Sequence, residues 1–166
     1  MDSSVVAVQK PFPPAAHDHD ACAAKALADA EKAAASRGLR FTPLRHYVLE
    51  MLLASHRPVG AYDVLGALAR EDSPARPSPP TVYRALEFLL QQGFAHRVAS
   101  KNAYIACFMP GARHRAHLLI CRACGQAGEM ADRNLEDALD DAAGRFRVEQ
   151  EYVELIGLCE ECARRA

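Results

Sequence analysis

Three observations predict an α+β protein in two parts. Three amphipathic helical stretches run into two short strands between residues 43 and 107; the order strand, strand, helix, strand follows from 117; and two Cys-x-x-Cys pairs, Cys121/Cys124 and Cys159/Cys162, bracket the second part. Helices ending in two strands read as a winged helix with the strands as its wing. The later part reads as a small α/β unit. At 166 residues, half of them apolar, the chain can hold one ordinary domain or two small ones with a real core.

Residues 1–20, with Lys10-Pro11-Phe12-Pro13-Pro14 and His17-Asp18-His19-Asp20, read as a mobile N-terminal arm. An Ala-rich helix is expected from Ala21 to Ser36, stopped by Gly38. Thr42 is an N-cap and Pro43 a first helical residue, starting a helix with Leu44, Val48, Met51 and Leu52 at core spacing and ending near His56–Pro58. A helix over Ala61–Arg70 turns Val64, Leu65 and Leu68 inward. A turn over Ser73–Ser78 precedes a helix opened by Ser78-Pro79-Pro80, running to Gln92 and closed by Gly93. Phe94–Val98 and Ala103–Cys107 are the wing strands. Strands at His117–Ile120, Gln126–Met130 and Val148–Leu158 surround a helix at Asn134–Ala143. The domain scheme is thus 1–20 arm, 21–108 winged helix, 109–115 hinge and 116–166 α/β unit.

The two Cys pairs carry the strongest chemical signal. Four thiolates in two such turns match the tetrahedral demand of a structural zinc ion. The 34 residues between them exceed the gap of a compact zinc ribbon, so a subdomain folds between them. Two redox dithiols or a disulfide pair are the alternatives. The N-terminus lacks a basic segment followed by an apolar stretch and no run of 18 apolar residues exists, so a reducing cytoplasm and no membrane span are expected.

The net charge of −1 conceals an asymmetry. Residues 37–101 hold nine Lys/Arg against five Asp/Glu, whereas residues 102–166 hold eight against eleven. Only the central segment suits a polyanion. In its last helix Val82, Leu86 and Leu89 share the packing face, leaving Thr81 and Arg84 on another face near the helix start. Recognition helices place N-terminal residues against base edges; Arg84 can present two donors to guanine, and Thr81 and Tyr83 can reach phosphates or a thymine methyl. The plainer alternative makes Arg84 a surface residue and Tyr83 a core aromatic.

A second metal constellation follows from the wing. A two-residue turn at Lys101-Asn102 sets His96 directly opposite Cys107. His114 and Glu129 can complete a set of N, S and O donors, in which the sulfur favours zinc over iron(II) or manganese(II). The alternative is a structural Cys107, a solvated Glu129 and two ordinary histidines. His117 reads as a half-buried strand histidine rather than an alternative ligand, and His17, His19 and Cys22 as an incidental cluster on the arm rather than a weak metal site.

Gly38-Leu39-Arg40-Phe41-Thr42-Pro43-Leu44-Arg45, Pro80-Thr81-Val82-Tyr83-Arg84-Ala85-Leu86 and Cys121-x-x-Cys124-Gly125 together resemble the ferric uptake regulator superfamily over roughly residues 25–162. Ala61-Tyr62-Asp63-Val64-Leu65 and Gln92-Gly93-Phe94-Ala95-His96 resemble its zinc-sensing branch, the zinc uptake regulators. That resemblance implies an N-terminal winged helix-turn-helix DNA-binding domain and a C-terminal dimerisation domain. It also implies a cytoplasmic homodimer that binds double-stranded operator DNA and represses zinc-uptake genes when loaded with zinc. The implied ligands are Cys121, Cys124, Cys159 and Cys162 for a structural zinc, and His96, Cys107, His114 and Glu129 for a regulatory zinc, two ions per subunit. Tyr62 and Arg84 align with residues that meet DNA. No catalytic residue, membrane or small-molecule substrate is expected. An iron- or peroxide-responsive regulator of the same fold is the runner-up, and a zinc enzyme with Glu129 as base is a more distant rival. Ala112-Arg113-His114-Arg115-Ala116-His117 departs from the denser histidine run of iron-sensing relatives.

Overall fold

The computed structural model describes residues 12–13, 17–70, 77–110 and 114–166. Most of the expected arm, residues 73–76 of the expected Ser73–Ser78 turn and residues 111–113 of the expected hinge lie outside them. The helical part comprises α1 (His19–Ser36), α2 (Pro43–Leu53), α3 (Ala61–Arg70) and α4 (Pro79–Gln91). The strand β1 (Val59–Gly60) precedes α3, and the wing strands are β2 (Ala95–Val98) and β3 (Ala103–Ala106). A second sheet holds β4 (His117–Cys121), β5 (Ala127–Met130) and β6 (Val153–Gly157), with α5 (Arg133–Ala143) before β6 and the short α6 (Glu160–Arg164) after it.

Helix α1 begins at His19, inside the segment read as arm, because Asp18 caps it by accepting a hydrogen bond from Ala21 N. Ala26, Ala30 and Ala34, four apart, form its buried stripe, and their small size lets α1 lie close on α2. Thr42 caps α2 through Arg45 N as expected. Its buried face is Val48, Leu49, Leu52 and Leu53, while Leu44 and Met51 pack half-buried at the rim. Helix α4 buries Val82, Ala85, Leu86 and Leu89 against α2 and α3, and Gly93 at φ 72° turns the chain into the wing. Phe94, fully buried, roots the wing in this helical core.

The wing departs from expectation in register. Four residues, not two, join its strands: a 3-10 turn over Ala99–Lys101 and a left-handed Asn102 at φ 47°. His96 therefore faces Ile105, and Cys107 N donates to Phe94 O one step beyond β3. Cys107 lies two residues from Ile105. Side chains alternate with period two, so the slip leaves Cys107 on the same face as the expected partner. The sheet also gains an unexpected edge, in the order β1-β3-β2.

In the second sheet, β5-β4-β6, β4 is antiparallel to β5 and parallel to β6, with α5 as crossover. Val98 and Ile105 from the wing share a buried cluster with Leu118, Ile120 and Ala127 from this sheet. Ala127 N donates to His56 O at 2.8 Å, and Ala99 N and Ser100 N donate to the Glu154 carboxylate. The wing is thus packed and hydrogen-bonded onto the second sheet. Strand β6 is shorter than the Val148–Leu158 expected, and Val148–Tyr152 has no sheet pairing within the described subunit. Phe146, Val148, Tyr152, Leu155 and Ile156 are exposed there, and β6 is an edge strand.

Candidate metal centres and nucleic-acid face

Cys121 is the last residue of β4. The turn after it is closed by Gly125 N to Cys121 O at 2.9 Å, with Gly125 at φ 76°, and by Cys121 N to Gln126 O at 2.8 Å. Cys159 is the N-cap of α6, and one helical turn carries Cys162 to the same side. Arg122 N donates to Gly157 O at 2.9 Å, joining the first turn to the end of β6. The four sulfurs lie within 4.8 Å of one another, with Cys124 Sγ and Cys159 Sγ 3.9 Å apart. Zinc–sulfur bonds of ~2.3 Å set tetrahedral sulfur–sulfur edges near ~3.8 Å, which this cage matches. All six cysteines are free, so the disulfide alternative does not hold here. The thiols are not equivalent. Backbone N–H groups of Cys124 and Cys159 lower Cys121 to about 6, whereas the Cys159 thiol and burial push Cys162 up to about 12.

The second cage draws on four separate places. His96 comes from β2, Cys107 from the end of β3, His114 from the segment before β4, and Glu129 from β5. His114 Nε2 is 3.2 Å from Glu129 Oε2 and 3.7 Å from Cys107 Sγ, and the Cys107 thiol faces Glu129 Oε2 at 3.8 Å. His96 Nε2 lies 3.3 Å from Glu129 Oε1, yet it is buried and makes no aligned hydrogen bond. Tetrahedral zinc with these donors has N–O edges of ~3.3 Å and S–N edges of ~3.6 Å, close to the spacings present. A buried imidazole nitrogen aimed at the centre without an aligned hydrogen bond fits a metal ligand. The Glu129 side chain is 6% exposed, which removes the solvated reading. Burial alone would raise its carboxyl, but the imidazoles of His114 and His96 outweigh that and hold it at about 2. Burial, then the charge of Glu129, pushes the Cys107 thiol up.

His117 stays outside this cage. It is fully buried rather than half-buried, with Nε2 3.4 Å from Glu151 Oε1. The structure also assembles a group that sequence reasoning completed with the wrong partner: His17 and His19 meet His56, not Cys22, with nitrogens within 4.8 Å of one another. His56 lies 37 positions beyond His19 with no pattern linking them, so only tertiary contact identifies it.

On α4, Thr81, Tyr83 and Arg84 are exposed beside the helix N-terminus, and Thr81 Oγ1 is 2.9 Å from Ser78 Oγ. Tyr83 at 42% exposure is not a core aromatic. Tyr62, near the start of α3, is 80% exposed.

Residues 36–156 match the ferric uptake regulator family. The zinc uptake regulation protein of Escherichia coli (strain K12) is 39% identical over 139 residues, 82% of this chain and 80% of that protein. The peroxide operon regulator of Bacillus subtilis (strain 168) is 28% identical over 145 residues, 86% and 97% of the two chains. Among solved structures, a zinc uptake regulator complexed with zinc and DNA superposes with a TM-score of 0.75 at 36% identity, covering 86% of this chain and 96% of the other. Holo XcZur gives 0.72 at 38% identity, covering 83% and 96%, and apo XcZur 0.53 at 37% identity, covering 86% and 99%. Two helical and sheet units of the expected kinds, the Cys-x-x-Cys cage and these similarities lead to one conclusion: the chain belongs to the ferric uptake regulator family.

Proposed function

We propose that this protein is a zinc-responsive transcriptional repressor of zinc-uptake genes that binds operator DNA as a zinc-loaded homodimer. The observation that carries this reading is the convergence of His96, Cys107, His114 and Glu129 across the junction between wing and second sheet. A bound zinc ion supplies the positive charge that lets one carboxylate, one thiolate and two imidazoles share a site. Cys107 gives up its proton on binding, and Glu129, already ionised, keeps its place between the two imidazoles. His96 and Cys107 then hold the wing, and through Phe94 the helical core, in a fixed relation to β5.

That relation matters because two recognition helices must match two half-sites about one DNA turn apart. Similarity at comparable identity supports it: the holo and DNA-bound relatives superpose at 0.72 and 0.75, the apo relative at 0.53. Arg84, Thr81, Tyr83 and Tyr62 make the DNA-facing set. The exposed edge of β6, with Leu155 and Ile156, makes the dimer contact. Cys121, Cys124, Cys159 and Cys162 hold the structural ion, giving two ions per subunit for these two cages. Among the described residues no helix is long and apolar enough to cross a membrane. The similarity to a peroxide operon regulator favours a second reading, an iron- or peroxide-responsive regulator, against which the Cys107 sulfur counts.

The test is DNA binding by the purified dimer to a zinc-uptake promoter, titrated with buffered zinc at fixed salt. Tight binding is expected only with zinc, and Cys107→Ser should abolish the response while retaining the structural ion. Equal binding with and without zinc would sink the switch; a response to iron(II) alone would select the second reading.

A further inference from the structure

We propose that His17, His19 and His56 form a third metal site, for a late first-row divalent cation with zinc foremost. The three rings stand around a common point. Their centroids are 5.5 Å apart for His17 and His19, 5.1 Å for His17 and His56, and 4.9 Å for His19 and His56, in edge-on or tilted rather than stacked arrangement. His17 Nε2 lies 3.1 Å from His56 Nε2, close to the ~3.3 Å edge between two imidazoles on tetrahedral zinc. Both ring nitrogens of His19 are buried without a hydrogen-bond partner among the described residues. Buried polar atoms are ordinarily satisfied, so an orphaned imidazole inside a ring of imidazoles points to a missing ligand.

The donor set selects the cation. Three neutral nitrogens suit zinc, copper, nickel or iron, whereas magnesium and calcium require oxygen. Three protein ligands leave a fourth position for water, which makes an exchangeable site rather than a closed one.

The scaffold is built for a fixed ligand. His56 is 8% exposed and its ring packs on Phe108 at 4.3 Å between centroids. Its carbonyl accepts from Ala127 N at 2.8 Å. Phe108 follows Cys107, and Phe108 N donates to Glu129 Oε1 at 3.4 Å. Only α1 and the chain just before it supply the other two ligands. A cation here therefore fastens the start of α1 to the loop that touches both the wing and β5, one residue from the sensing cage.

Cobalt(II) titration of the full-length dimer, with structural zinc retained, separates the sites by spectrum. The sensing cage contains a thiolate and gives sulfur-to-cobalt charge transfer; the histidine site gives ligand-field bands alone. The parent protein is expected to take two exchangeable equivalents per subunit. A His17→Ala/His19→Ala variant should lose the band set without charge transfer and keep the other. These residues open α1 rather than its packed stripe, and far-UV circular dichroism with sizing verifies that the variant folds and dimerises. An unchanged number of equivalents with unchanged affinity in that variant overturns the site, as does a parent that takes only the thiolate-bound ion. Because the charge-transfer band reports Cys107 independently, failure of the sensing cage and failure of the histidine site are distinguishable.

Discussion

The two cysteine-containing cages differ in how much of the molecule each one joins. Cys121, Cys124, Cys159 and Cys162 all belong to β4, its turn and the start of α6, so they close one end of one sheet. His96, Cys107, His114 and Glu129 come from the wing, the segment beyond it and β5, and they join two sheets that otherwise meet through a small apolar cluster and the hydrogen bonds to Glu154. A local cage can only stabilise its own unit, since both its ends move together. A cage that spans a junction can favour one arrangement of the parts over another, which is what a switch requires. The same element can thus serve as a rivet in one place and as a signal in the other.

The largest expected effect breaks the rivet. Cys121→Ser should remove the structural ion and unfold the C-terminal sheet, because binding at such sites contributes on the order of 10 kcal/mol to small zinc domains. Zinc content and thermal unfolding by far-UV circular dichroism measure it, and a variant that melts like the parent would show that the hydrogen-bonded turns suffice. Next comes the dimer edge: Leu155→Asp should give a monomer by sedimentation, with both cysteine-containing cages still able to bind zinc. A dimer that persists would place the two-fold contact elsewhere.

Arg84→Ala should leave zinc stoichiometry unchanged and weaken operator binding by about 1–3 kcal/mol, roughly five- to 150-fold, with relaxed preference at one base position. Equal loss for every sequence would reassign it to phosphate contact. The smallest effect is with pH. The thiol of Cys107 is pushed up, so it is protonated through the neutral range and releases a proton when zinc binds. Affinity at the sensing cage should therefore fall about tenfold for each unit of pH lowered. The four-cysteine cage, with Cys121 already lowered to about 6, should respond differently, and chelator competition at two pH values compares the two.

Much of this was legible in residue order. Thr42-Pro43 and Ser78-Pro79 mark the starts of α2 and α4 because the Thr42 cap and proline geometry are local, and Ala61–Arg70 matches its expected helix because its apolar spacing is clean. The wing register was misplaced because a four-residue loop with a left-handed Asn102 looks, in sequence, like a two-residue turn. The convergence of His96 and Cys107 survived because the error was an even number of residues. Strand β6 proved shorter because the apolar residues from Val148 to Tyr152 find no strand partner among the described residues.

By itself the sequence determined the main helices, the cysteine cage and the donor chemistry of His96, Cys107, His114 and Glu129, since spacing and residue type act over a few positions. Tertiary structure alone decided that Glu129 is buried between two imidazoles, that Tyr83 is exposed, and that His56 closes a group with His17 and His19. Burial and the meeting of distant side chains depend on how the elements pack, and no local pattern encodes that.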